Sequence, residues 1–114
     1  MSRKSAPWEV WFVDLDPVTG SEQGRRRPVV VVSSPLFAAF PTAMAIVVPL
    51  SSVGRGLPHH VPVSSPESGL DRPSWARVDD VRAISEQRLT RKMGNATSKE
   101  AEDIRAQLRL MMDI

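Results

Sequence analysis

The chain predicts a mostly β fold with one C-terminal helix, built as a strongly bent antiparallel sheet or small barrel. Three observations carry that prediction. Short runs of branched and aromatic residues recur along the chain, Gly- and Pro-rich turns separate them, and a helical apolar stripe appears only at the end. The 114 residues suffice for one core, so residues 1–114 are expected to form a single domain.

Trp8 to Leu15 combines bulky and branched side chains and stops at Asp16-Pro17, which predicts a strand. Val18 to Gly24 reads as a polar loop with two glycine hinges, followed by Arg25, Arg26 and Arg27. Pro28-Val-Val-Val-Val32 is a continuous β-branched run, predicting a strand buried on both faces with its proline at the start, where a missing donor costs least. Pro35 to Phe40 is expected as a short helical turn, and Met44 to Val48 as a second apolar strand ended by Pro49.

Val53 to Pro73 is rich in Gly, Pro and Ser and is expected to be the most mobile stretch, with one edge strand at His60 to Val63 marked by Pro62. Ser74 to Val78 predicts a strand that runs into a turn at Asp79-Asp80. Ile84 to Leu89 is expected as a helical turn and Arg91 to Met93 as a short edge strand. Thr97 with Glu100 fits a capping box, and Ala101, Ile104, Leu108 and Met111 recur at helical spacing. They predict a helix of about four turns that buries this stripe on the sheet.

Composition narrows the chemistry. Cysteine is absent, which excludes disulfides, a thiol nucleophile and thiolate zinc sites, and makes a reducing, cytoplasmic setting the default. No apolar run reaches the length of a membrane span, and the N-terminus lacks a secretion signal. Of the 15 basic residues three are lysine and twelve arginine. Guanidinium matches phosphate oxygens with paired hydrogen bonds, so this excess favours a phosphate-bearing partner, although a GC-rich genome inflates arginine as well. The only histidines, His59 and His60, are adjacent and are expected to point apart in an extended segment. No metal site and no cofactor are therefore expected, and no phosphate-binding glycine loop ending in Lys-Ser/Thr is present.

What remains is a polar set at strand ends: Ser21, Glu22, Gln23 and Arg27 at the first loop, Ser51-Ser52 after the second core strand, and Arg77 with Asp79 after another. Strand ends of an antiparallel sheet can converge on one rim. Each pair also has a plain reading, as turn formers, as a solvated ion pair or as a soluble loop.

Trp8-Glu-Val-Trp-Phe-Val-Asp-Leu-Asp-Pro-Val-Thr-Gly-Ser-Glu-Gln-Gly24, continuing to Arg27-Pro-Val-Val-Val-Val-Ser33, closely resembles the opening of the MazF/PemK (Kid) family of toxin endoribonucleases. Val47-Val-Pro-Leu-Ser-Ser52, Asp79-Asp-Val-Arg-Ala-Ile84 and Glu86-Gln-Arg-Leu89 follow in that family's order and spacing, so the resemblance spans nearly the whole chain. It implies a small bent β-barrel of SH3-like, CcdB/Kid plasmid-toxin type that works as a homodimer. It also implies metal-independent, sequence-selective cleavage of single-stranded RNA to 2′,3′-cyclic phosphate and 5′-hydroxyl ends, restrained by a MazE-like antitoxin with an acidic tail.

By position the resemblance assigns catalysis to Arg27, Ser51, Arg77 and Asp79. Ser51 stands where the family usually has threonine, and Ser21 where the Kid branch has a histidine. Arg27 would hold the phosphate and Ser51 a nonbridging oxygen, while Asp79, or Glu22 as second choice, would take the 2′-hydroxyl proton. Arg77 would orient Asp79 and act electrostatically. Ser21, Glu22, Gln23, Arg25, Arg26, Ser52, Asp80 and Arg82 are the expected RNA contacts. Trp75, Phe37 and Phe40 are stacking platforms or, more in keeping with aromatics generally, core residues. Leu110, Met111 and Met112 either build a dimer interface or finish the monomer core. Two other function classes fit the scaffold: a CcdB-like toxin that binds DNA gyrase, and a barrel that binds nucleic acid without cutting it.

Overall fold

The computed structural model describes residues 5–14 and 26–114. Among these residues seven strands and two α-helices follow in the order β1 (Glu9–Asp14), β2 (Arg26–Val31), α1 (Pro35–Ala38), β3 (Met44–Ser51), β4 (His60–Val63), β5 (Ser74–Arg77), β6 (Arg82–Ser85), β7 (Leu89–Asn95) and α2 (Ser98–Met112). Single 3-10 turns lie at Pro66–Ser68, Val78–Asp80 and Glu86–Arg88. The pairings are antiparallel, in the sheet order β4-β5-β3-β2-β1-β7, with β6 beside β3. The path has two ends, β4 and β7, so the hydrogen-bonded sheet bends without closing into the full barrel that was one of the expectations.

The valine run behaves as its composition demands. Val29 and Val31 pack with Trp11, Val13, Val47, Ile84 and Leu89 on one face. Val30 packs with Val10, Val48, Leu50, Val61, Val63, Ala76 and Ile104 on the other. Both faces of the central strands are therefore dry, and side-chain alternation fixes the register, since a one-residue slip would exchange the two cores. The strand starts earlier than expected, at Arg26, which puts Pro28 inside it. The pairing with β3 covers only Val29 to Val31, so Pro28 lies beyond that ladder.

Other boundaries move for local reasons. Trp8 has φ 71, a left-handed backbone that a bulky residue adopts only when held, so β1 begins at Glu9. It is held by a hydrogen bond from its N–H to Val31 O at 2.6 Å and one from Ala96 N–H to its carbonyl at 2.8 Å, with Arg105 over its ring. Leu15, the other end of the expected strand, lies outside the described residues. β3 runs on to Ser51 by changing neighbours: Met44 to Val47 pair with β6, and Leu50 and Ser51 with β5.

The helical turn expected at Ile84 to Leu89 is only partly right. Ile84 and Ser85 belong to β6, because Ile84 pairs with Ala45 and fills the core, and only Glu86–Arg88 turns. The buried Glu86 carboxylate accepts hydrogen bonds from Ser5 N–H at 3.1 Å and from the Ser5 hydroxyl, which pins the start of the described chain to this turn. β7 is longer than the expected Arg91–Met93 and lies at the sheet edge as foreseen. It passes the Pro66–Ser68 turn at such close range that a Cβ on Gly94 would sit 2.2 Å from Glu67 O.

α2 starts with the capping box, Thr97 and Glu100 each accepting from the other's backbone N–H at 2.9–3.1 Å. Ala101 and Ile104 are buried, Leu108 half-buried and Met111 exposed, so the stripe is covered for its first two turns and then emerges. Leu110, Met111, Met112 and Ile114 are exposed, which removes the option that they finish the monomer core. Among the described residues no helix is long and apolar enough to cross a membrane.

Candidate active site

Val29 pairs with Pro49 and Val30 with Val48. The ladder ends there: beyond it Arg27 stays paired with Val13 of β1 and Ser51 turns to Trp75 of β5, so the two side chains stand where β2 and β3 part. Both contribute to a groove of about 670 Å³ whose walls also include Phe12, Arg26, Ser52, Arg72 and Arg91. Arg26 and Arg27 form no ion pair among the described residues. Arg91 lies over the Phe12 ring at 5.1 Å, while Arg72 is engaged by Asp71 at 3.4 Å. The groove is thus strongly cationic and suits a polyanion.

Ser51 serves both readings the sequence left open. Its oxygen accepts from Val53 N–H at 3.1 Å, which shapes the turn after β3 and leaves the hydroxyl proton free to be donated.

Arg77 and Asp79 form a second cluster. β5 carries Ser74 on the groove and Arg77 three residues on, a spacing of about 10 Å along the strand. Arg77 does not orient Asp79 as expected. Its guanidinium pairs with Asp80 Oδ2 at 3.0 Å, because the Val78–Asp80 turn brings position i+3 back over the strand end. Asp79 Oδ1 lies 3.2 Å from His60 Nε2 and 3.5 Å from His59 Nε2. Burial alone would raise the Asp79 carboxyl, but hydrogen bonds from its own backbone N–H and from His60, with both imidazoles nearby, hold it below the usual carboxylate value.

The two histidines therefore do not point apart. His59 precedes β4, in a turn where Leu57 O accepts from His60 N–H, so strand alternation does not apply to it. The rings meet edge to face with centroids 4.6 Å apart. This correction adds two residues that the sequence reading set aside. The available signal was the His-His pair sitting in a Gly/Pro-rich turn just ahead of a strand.

Arg82, on β6 opposite Val47, joins neither cluster, and Asp80 is committed to Arg77. Ser21, Glu22, Gln23 and Arg25 lie outside the described residues. Trp75 is half-buried and is covered on one side by the backbone of Gly54, where a Cβ would lie 2.8 Å from the ring. Phe37 and Phe40 pack edge to face on each other at 5.7 Å.

Comparison with known proteins bears on the same residues. The family model of the PemK-like, MazF-like toxins of type II toxin-antitoxin systems matches residues 6–112. Endoribonuclease MazF9 of Mycobacterium tuberculosis is 34% identical over 111 residues, covering 93% of this chain and 94% of that protein. Endoribonuclease EndoA of Bacillus subtilis is 38% identical over 86 residues, 75% of this chain and 74% of its own. In fold, the chain superposes on a MazE-MazF crystal structure from Deinococcus radiodurans with a TM-score of 0.83 at 19% identity, over 99% of each chain. Taken with the capping box, the doubly buried valine strand and the arginine groove, these matches lead to one conclusion: the chain belongs to the PemK-like, MazF-like toxins of type II toxin-antitoxin systems.

Proposed function

We propose that the arginine groove holds single-stranded RNA and that Arg27 and Ser51 act on the scissile phosphate. The chain is a toxin endoribonuclease, the activity named for relatives that share about a third of its residues over most of its length. That activity is favoured over the gyrase-binding and non-cleaving alternatives. The observation that supports the site assignment is that Arg27 and Ser51 line one groove, walled by further arginines.

The substrate's 2′-hydroxyl attacks the adjacent phosphate, the P–O5′ bond breaks and the 5′-oxygen leaves as a hydroxyl with a proton from solvent, so the protein need only align the groups, accept the 2′-hydroxyl proton and stabilise the phosphorane. Arg27 grips nonbridging oxygens with two parallel N–H groups as negative charge builds there. The Ser51 hydroxyl, with its proton free, donates to one of them. Asp79 is a weak base at rest, held low by its histidines. Asp79 stands in the second cluster and not on the groove wall, so it serves as base only for a strand that reaches from the groove to that cluster, where a phosphate placed beside it raises the carboxyl; Glu22 is the second choice. Arg77 acts electrostatically. Arg26 and Ser52 on the groove wall are the proposed RNA contacts, with Ser21, Gln23 and Arg25 added on the motif alone.

The working unit is a homodimer of single-domain chains in the cytoplasm, its interface built on the exposed Leu110, Met111 and Met112. A MazE-like antitoxin with an acidic tail neutralises it by competing for the same arginines, as charge complementarity favours. A MazE-MazF pair is the subject of the Deinococcus structure.

The test is incubation of purified protein with a long RNA in EDTA, with the ends mapped. Specific fragments with 2′,3′-cyclic phosphate and 5′-hydroxyl ends are expected from the parent and none from Arg27→Ala. Equal cleavage by Arg27→Ala would remove Arg27 from the site.

A further inference from the structure

We propose that His59, His60 and Asp79 form a binding site for a divalent transition-metal ion of the zinc class. Each residue offers one ligand atom, and these atoms all lie within 4.8 Å of one another. Tetrahedral zinc with bonds of about 2.0–2.1 Å needs ligand atoms about 3.3 Å apart. The two edges that meet at Asp79 Oδ1, 3.2 and 3.5 Å, already fit. The third edge, between the imidazole nitrogens, is no longer than 4.8 Å. His59, at 29% side-chain exposure and ahead of the strand, has room to rotate, whereas His60 at 3% is fixed.

The charge distribution points the same way. Arg77, the nearest cation in sequence, is held by Asp80, and Asp79 has no Lys or Arg partner among the described residues. Its negative charge faces two imidazoles that are cations only when protonated. A divalent ion satisfies the carboxylate and both ring nitrogens together. Ligation through Nε2 moves the ring proton to Nδ1, which has no hydrogen-bond partner among the described residues, and exchanges the His60–Asp79 hydrogen bond for two bonds to the ion. Two imidazole nitrogens and one carboxylate select zinc, nickel or copper over magnesium or calcium. Asp79 is about half exposed, which gives the ion an entry path and leaves its fourth position to water.

Binding stands on this geometry alone. Its effect on RNA cleavage rests on the proposed role of Asp79, because an ion on the carboxylate takes away the proton acceptor. Occupancy would then make cleavage sensitive to free zinc.

The experiment titrates zinc chloride into the EDTA-treated and dialysed full chain by calorimetry at neutral pH, with magnesium chloride as control. One zinc ion per chain is expected, with affinity reduced about tenfold or more in both His59→Ala and Asp79→Asn, each checked for folding by circular dichroism. No zinc binding, or binding unaltered in both variants, overturns the site. A parallel RNA-cleavage assay separates the two ideas: zinc slows the parent and EDTA restores it if Asp79 takes part in cleavage. Zinc bound as predicted with cleavage unchanged keeps the site and overturns the role proposed for Asp79.

Discussion

Arg77 is paired with Asp80, three residues on, through a 3.0 Å contact, and the acid between them in sequence, Asp79, is left to the histidines. Both partners of the Arg77–Asp80 pair are about a third or more exposed, and pairs of that kind contribute about 0.2–1 kcal/mol. Asp80→Asn should therefore lower the unfolding free energy by less than about 1 kcal/mol. Urea denaturation at low and at high salt checks this, since the difference from the parent should shrink as salt screens the pair.

Arg27→Lys retains the charge and loses the fork of parallel donors. The variant should fold with an unchanged circular dichroism spectrum and cleave RNA about a hundredfold more slowly under single-turnover conditions, the scale of losing one aligned donor to a developing oxyanion. Cleavage within a fewfold of the parent would reduce Arg27 to a point charge.

Glu9 accepts hydrogen bonds from the Trp11 indole and the Ala6 N–H, both at 2.9 Å, and meets Lys92 at 3.2 Å. Burial opposes its ionisation, yet these partners hold the carboxyl below its usual 4.5. A folded-state value lower than the unfolded one stabilises the fold above pH 4.5, and that contribution is lost as pH falls through the folded value. The melting-temperature gap between the parent and Glu9→Gln should be widest near neutral pH and close progressively below pH 4.5.

Glu100 is buried and accepts from the backbone N–H groups of Ser64, Ser65 and Thr97 and from the Ser65 hydroxyl at 2.9–3.2 Å. It thus ties the start of α2 to the chain leaving β4. Glu100→Ala orphans several donors together and should cost about 3 kcal/mol by chemical denaturation. The exposed Lys99→Ala, one residue away, should leave the midpoint unchanged.

Elements whose side-chain pattern is decided locally were legible in the sequence. The valine run at 29–31 and the Thr97/Glu100 cap announce themselves by chemistry that no distant partner needs to complete. Where a distant partner decides, the sequence is silent. Ile84 reads as part of a turn until Ala45 is known to lie beside it, and Trp8 reads as strand until Val31, Ala96 and Arg105 hold it out of one. The site divides in the same way. Arg27 and Ser51 are signalled by motif, but the turns that give Arg77 to Asp80 and Asp79 to His59 and His60 are set by the meeting of β4 and β5, which spacing alone does not encode.

β1 pairs with β2 on one side and with β7 on the other, and Glu9 faces Asn95 across the second pairing. During synthesis the outer edge of β1 stays open until the last strand has left the ribosome, and Val13 lacks its neighbour Leu89 until then. A nascent chain stopped short of β7 has an unfilled core and a bare strand edge. A messenger broken late in its reading frame would yield aggregation-prone fragments in place of active toxin, and folding of the intact chain should be slow for its size because its closing contacts span most of its length.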